Sequence, residues 1–188
     1  VYKRQLHHEA MKFVMPVRQK IAEKTIFNLL GPHTNPCSAK KQVLGVYDEK
    51  LVKMFSNVAK NLDMKHVMIV HGDDGLDEIS ICSETIVSEL KDNKISEYKI
   101  SPKNYGLNLS SFDQITANSS DESLLLVNSA FNGESSAVQD MIALNSGAAL
   151  YVANVVKSIS DGIEMAFDCM NNGQAAQKLA DYVRVSNE

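Results

Sequence analysis

No apolar run in this 188-residue chain approaches the roughly 20 residues that span a bilayer, and the N-terminus has no signal-peptide apolar core. Membrane insertion is therefore not expected. Dense basic runs are missing too, and a net charge of −4 offers no general attraction to nucleic acid or acidic lipid. Cysteine is sparse: Cys37, Cys82 and Cys169 are widely spaced, odd in number and form no C-x-x-C pair. That usage suits reduced thiols in a cytoplasmic protein. The patterns G-x-G-x-x-G, G-x-x-x-x-G-K and G-x-S-x-G are also absent, which removes the common phosphate-loop and serine-hydrolase signatures. What is present is ordinary for a globular chain, with 44% hydrophobic and 22% charged residues. The length allows one sizeable core, or one domain with part of another.

Periodicity sets out the elements. From Leu6 to about Ala22, Ala10, Met11, Val14, Val17 and Ile21 recur at three- and four-residue steps, which predicts an amphipathic helix. Thr25 to Pro36 then reads as a defined, mostly extended connector. Pro32 and Pro36 fix φ and push the residue before each out of the helical region. Gln42–Tyr47 predicts a short buried strand, Asp48 an N-cap for a helix through about Leu62, and His66–Val70 a second strand. Strand, helix and strand at this spacing make a βαβ unit with parallel strands. Thr85–Leu90 and Lys94–Ile100, joined by Lys91-Asp92-Asn93, read as an antiparallel hairpin at a sheet edge. After a turn-rich stretch to about Ser120, helices are expected over 121–132, 135–156, 158–171 and 174–185. Gly133, Gly162 and Gly173 are candidate breaks or close contacts, and Ser146-Gly147-Ala148-Ala149 marks a tight packing position.

Two regions could carry chemistry. The loop His71-Gly72-Asp73-Asp74-Gly75-Leu76-Asp77-Glu78 is the densest acidic cluster and follows the carboxyl end of a predicted parallel strand, the edge where open α/β sheets bind ligands. The adjacent carboxylates Asp77 and Glu78 suit Mg²⁺, a hard ion that completes its shell with water and phosphate oxygens. The same letters also suit a solvated turn, because Asp-Gly is a common turn former. The first helix offers His8 and Arg18, ten residues and so roughly 15 Å apart along a straight helix. They cannot both hold one small molecule; if both touch ligand, they mark two stations along a channel. An arginine turned into a cleft suits a bidentate grip on a carboxylate, whereas a lone helix arginine is more often a solvated charge. His66, at a strand start, reads as structural.

Taken together, HHEAMKFVMPVR (7–18), KTIFNLLGPHTNP (24–36), QVLGVY (42–47) and HVMIVHGDDGLDEIS (66–80) resemble, in order, the anthranilate phosphoribosyltransferase family. The tail segments LNSGAALYVA and SISDGIEMA fit as well, so the resemblance covers about residues 6–185. It implies transfer of the phosphoribosyl group of phosphoribosyl pyrophosphate to the amine of anthranilate in tryptophan biosynthesis, with Mg²⁺ as cofactor. By the same resemblance Arg18 binds the anthranilate carboxylate, His8, Met11 and Pro32 line the outer part of its channel, and Asp77 with Glu78 holds the metal. Glu9, Met11 and His33 depart from the residues the family usually has and would tune that channel.

The implied fold is α/β: a mostly parallel sheet with an antiparallel edge excursion, flanked by helices, plus one helix of a truncated helical domain. Residues 1–24 would be the remnant of that domain, 25–36 a hinge, and 37–188 an α/β phosphoribosyltransferase domain lacking its first strands. The family's GTGGD phosphate loop, its KHGN segment and its N-x-S loop would all precede residue 1. The chain is therefore expected to be a fragment, inactive alone, of a cytoplasmic enzyme that is homodimeric at full length, with no nucleic-acid or membrane partner. Two rivals share the scaffold: a non-catalytic nucleic-acid-binding paralogue, disfavoured by the −4 charge, and a nucleoside phosphorylase-like transferase, disfavoured by GPHTNP and HGDDGLDE.

Overall fold

A computed structural model describes Phe13, Pro16, Val17, Lys20, Ile21, residues 39–134 and residues 136–187. Val1–Ala39 and Lys40–Glu188 are two compact units. In the first, Phe13, Pro16, Val17, Lys20 and Ile21 are helical, within the span where periodicity predicts a helix. The positions of His8, Met11, Arg18 and Pro32, and the whole connector 25–36, lie outside the described residues.

The second unit is built on a four-stranded sheet in the order β1-β2-β3-β4. β1 (Lys41–Gly45) and β2 (His66–Gly72) run parallel, with Val43 beside Met68 and Gly45 beside Val70. Helix α1 (Glu49–Asn61) joins them, and its N-cap is Asp48, whose carboxylate accepts from the Lys50 N–H at 3.0 Å. This is the expected βαβ unit. β3 (Thr85–Lys91) pairs antiparallel with β2, and β4 (Lys94–Ile100) antiparallel with β3. The hairpin turn has φ of 49° at Asp92 and 63° at Asn93, the positive pair a type I′ turn demands and short polar side chains tolerate.

The α/β class therefore holds, with a narrower parallel part than the expected mostly parallel sheet: among the described residues one of the three strand pairs is parallel. The connection from β2 to β3 holds no helix that could carry the chain back for a parallel return, so β3 comes back antiparallel.

β2 is covered on both faces, which is why it reads as an unbroken apolar run. Met68 and Val70 join Val87 in a core cluster with Leu144, Ala148, Val152 and Ile163 of the C-terminal helices. On the opposite face, α1 buries Val52, Phe55 and Ala59, and its Ser56 hydroxyl accepts from Ser88 of β3 at 2.9 Å. The helical tail follows as α2 (Ser120–Phe131), α3 (Ser136–Ala153), α4 (Ile159–Asn171) and α5 (Gln174–Ser186). Two short 3₁₀ turns, Pro102–Tyr105 and Phe112–Gln114, occupy the turn-rich stretch before them. Ser119 and Ser158 cap α2 and α4 through their hydroxyls.

Helix α3 stops at Ala153, three residues short of the sequence expectation, because Asn154 turns left-handed at φ 64°. Gly133 and Gly173 do mark helix ends, with φ of 74° and 80°. Gly162 does not; it lies inside α4 against Gly147 of α3.

One polar cluster is buried at the amino end of β2. Glu89 accepts from His66 Nε2 at 2.7 Å and from the Tyr151 hydroxyl at 2.9 Å on one oxygen, and from the Tyr98 hydroxyl at 2.9 Å on the other. The His66 and Tyr151 rings meet edge to face with centroids 4.9 Å apart. Burial, then the Glu89 charge, pushes the Tyr98 phenol up. His66 is thus held at both ends, its Nδ1 lying 3.2 Å from Asn154 Oδ1. That agrees with a structural role for this histidine.

Candidate metal-binding loop

The parallel strands β1 and β2 end side by side at Gly45 and Gly72, and the acidic loop leaves from there. Its first turn is tight. The Gly75 N–H donates to the Gly72 carbonyl and the Gly72 N–H to the Leu76 carbonyl, both at 2.8 Å. Gly75 takes φ 93°, open to glycine and strained for other residues. The two limbs of the loop are joined where the Asp73 N–H donates to the Glu84 carbonyl at 2.8 Å.

Four acids lie close together in the sequence, and the structure divides them by use. Asp73 is an ion-pair partner, with Lys99 Nζ at 2.8 Å; the same ammonium lies 3.5 Å from Glu84. Asp74 ties the loop internally: Oδ1 accepts from the Leu76 N–H at 3.2 Å, and Oδ2 accepts from the Ser80 hydroxyl. The Ser80 oxygen in turn accepts from the N–H groups of Cys82 and Ser83 at 2.9 and 3.2 Å. Burial, followed by the Asp74 charge, raises the Cys82 thiol above its usual range, so it is poorly suited to act as a nucleophile.

Asp77 and Glu78 have neither kind of tie; among the described residues no side-chain hydrogen bond or ion pair engages either one. Both reach solvent. Desolvation, and secondarily the neighbouring Asp77 charge, raises the Glu78 carboxyl above the ordinary range. A carboxylate whose proton affinity is raised by burial and by an adjacent carboxylate is the arrangement a divalent cation relieves. The pair's hard oxygens fit Mg²⁺, which keeps several waters and needs few protein ligands. A complete cage of three or more His, Cys, Asp or Glu is not formed among the described residues.

The backbone around this pair is fixed from two sides. Underneath, Gly45 leaves the space that the Asp77 carbonyl fills. Immediately after the pair, Ile79 is fully buried, and the Asn145 side chain of α3 holds both its N–H and its carbonyl. Gly45 and Asn145 carry a signal in the sequence: a glycine inside a strand pattern points to close backbone approach, and an asparagine within an apolar helix calls for a partner. Neither signal names the loop as that partner. Of the residues expected to form the site, Asp77 and Glu78 are adjacent here, while His8, Met11, Arg18 and Pro32 lie outside the described residues.

Comparison with known proteins identifies relatives of the chain. Residues 1–176 match the glycosyl transferase family, a/b domain. The chain is 46% identical over 180 residues to an anthranilate phosphoribosyltransferase of Vesicomyosocius okutanii subsp. Calyptogena okutanii (strain HA), covering 96% of this chain and 53% of that protein. The crystal structure of anthranilate phosphoribosyltransferase from Thermus thermophilus superposes with a TM-score of 0.85 at 31% identity, covering 94% of this chain and 52% of that one. The Saccharomyces cerevisiae anthranilate phosphoribosyltransferase in complex with PRPP and Mg shares the fold, with a TM-score of 0.82 at 23% identity over 96% of this chain and 53% of that one. The chain thus spans about half the length of the curated relatives it matches. With the match running through both the sheet and the acidic loop at its edge, the chain belongs to the glycosyl transferase family, in its a/b domain.

Proposed function

We propose that this chain forms most of the α/β half of an anthranilate phosphoribosyltransferase, which joins the phosphoribosyl group of phosphoribosyl pyrophosphate to the amine of anthranilate. The observation that carries the proposal is the acidic pair. Asp77 and Glu78 stand at the carboxyl edge of a parallel strand pair, unengaged by other side chains, within a loop whose backbone is braced by Gly45 and Asn145. Relatives that match nearly the whole chain carry that enzyme name, and a related yeast structure is described with PRPP and Mg.

In this reading Asp77 and Glu78 hold Mg²⁺. When bound, the metal supplies the positive charge that screens a departing pyrophosphate. The chain's own part is to present two oxygen ligands on a rigid backbone, so that no reordering is needed as the phosphates arrive. Arg18 is assigned to the anthranilate carboxylate, and His8, Met11 and Pro32 to the outer wall of its channel. Residues 1–24 would belong to a helical domain, 25–36 to the link, and 37–188 to the α/β domain. The complete protein is proposed to act as a cytoplasmic homodimer on these two small molecules, with no nucleic-acid or membrane partner. No described helix is long and apolar enough to cross a membrane.

The test is enzymatic. The full product of the gene encoding these residues should consume anthranilate, followed by its fluorescence, only when phosphoribosyl pyrophosphate and Mg²⁺ are both present. The double variant Asp77→Asn/Glu78→Gln should lose roughly 100-fold or more in kcat/KM. Undiminished turnover in that variant would overturn the assignment of the pair. The 188 residues by themselves contain no glycine-rich phosphate loop and are expected to give no turnover.

A further inference from the structure

We propose that Asn145, on helix α3, is the positioning residue for the Asp77–Glu78 pair; the inference rests on the reading of that pair as the metal ligands. Its side chain works as a clasp. Oδ1 accepts from the Ile79 N–H at 3.0 Å, and Nδ2 donates to the Ile79 carbonyl at 2.8 Å and to the Met141 carbonyl at 3.0 Å. Ile79 is the next residue after Glu78 and belongs to no strand or helix, so the sheet satisfies neither of its backbone groups. Its side chain is fully buried, which removes water as an alternative partner.

The geometry singles out asparagine. The clasp needs one acceptor and at least one donor on a short planar group, and only a side-chain amide of this length offers both from the helix. The bond to Met141, one turn earlier in α3, fixes the direction of the amide and leaves a single orientation that serves all three contacts. Aspartate in its place would set a carboxylate oxygen against two carbonyls. Alanine or leucine would leave both Ile79 groups without a partner.

The clasp also has a firm base. Helix α3 is pressed onto α4 at Gly147, two residues beyond Asn145, where a Cβ would come within 2.7 Å of the Ile163 backbone nitrogen. On the loop's other flank the Asp77 carbonyl rests on Gly45. The pair is thus held between a strand end and a helix, and Asn145 is the helix-side hold. It touches no reacting atom. Its part is to hold the backbone that carries the two carboxylates.

Nuclear magnetic resonance on the full ¹⁵N-labelled chain tests this, with Mn²⁺ as a paramagnetic substitute for Mg²⁺. In the unsubstituted chain the Ile79 amide should exchange with solvent at least 100-fold more slowly than that of Gly75. Mn²⁺ should broaden the Asp77 and Glu78 signals, and Asp77→Asn/Glu78→Gln should abolish the broadening. Asn145→Ala should deprotect the Ile79 amide and weaken Mn²⁺ binding at the pair at least fivefold, with the signals of β1 to β3 unmoved. If the alanine variant does not fold, Asn145→Leu, which keeps the volume and favours helix, is read in the same way. Unchanged Mn²⁺ affinity in a folded Asn145 variant overturns the proposal and leaves the metal reading standing, as does fast Ile79 exchange in the unsubstituted chain. Absent broadening, or broadening that survives loss of both carboxylates, overturns the metal reading and this inference with it.

Discussion

Gly45 and Asp77 meet backbone to backbone: the Asp77 carbonyl oxygen occupies the place a Cβ on residue 45 would take, and the Asp77 Cα lies 3.1 Å from that position. Glycine is required here for space, whatever its φ. The contact lets the acidic loop settle directly onto the end of β1. It brings two carboxylates, more than thirty residues along the chain, to the carboxyl edge of the parallel pair.

Gly45→Ala is therefore expected to lift the loop off the strand. Overpacking against backbone belongs at the upper end of its usual range, so a loss of about 3 kcal/mol is predicted. Urea denaturation gives that loss, and a Mn²⁺ titration should show weakened binding at Asp77 and Glu78 in the fraction that remains folded. A variant as stable as the parent, with the same metal affinity, would mean the contact does not position the loop.

The crossing of α3 and α4 depends on a pair of glycines. A Cβ on Gly147 would stand 2.7 Å from both Cγ1 and the backbone nitrogen of Ile163, and one on Gly162 would overlap the Gly147 carbonyl. Alanine at either position raises intrinsic helix propensity by about 1 kcal/mol. The steric cost should exceed that gain, for a net loss of about 1–3 kcal/mol in denaturant titration. A stabilised Gly162→Ala variant would contradict the close crossing.

Glu89 should tolerate loss of charge better than loss of both oxygens. Glu89→Ala strands His66, Tyr98 and Tyr151 around an empty polar site and is expected to cost about 3–5 kcal/mol. Glu89→Gln keeps an acceptor and should cost clearly less. Parallel urea titrations of the two variants decide it, and equal losses would show that the hydrogen bonds contribute little.

Burial raises the Asp140 carboxyl above its ordinary range. The folded state therefore holds its proton more tightly than the unfolded chain, and stability falls as pH rises through the interval between the two values. The cost is fully present at neutral pH. Asp140→Asn should melt at a higher temperature than the parent at about pH 7, with the gap closing below about pH 4. Thermal melts across that range test the sign; a gap that widens in acid would reverse it.

Much of the fold is legible in local chemistry. The cap at Asp48, the apolar run at Val67–Val70, the Asp92-Asn93 turn and the cap at Ser158 each state their element within a few residues. The end of α3 is less legible, because Asn154 gives no warning in the sequence that it will turn left-handed. The acidic loop is legible as a cluster and illegible in its division of labour. Asp73, Asp74, Asp77 and Glu78 look alike in a row of letters. Lys99 comes from β4 and Ser80 from the far side of the turn, and only folding brings them to the first two acids.

The sequence by itself determined the elements, the parallel start of the sheet and the candidate pair Asp77–Glu78, because caps, turns and periodicity act over distances of a few residues. Tertiary structure alone decided which acids stay free and what holds them in place. Gly45 and Asn145 act on the loop from 32 and 68 residues away along the chain, counted to Asp77. No local rule reports a backbone contact or a side-chain clasp whose two partners meet only when the sheet and α3 have packed together.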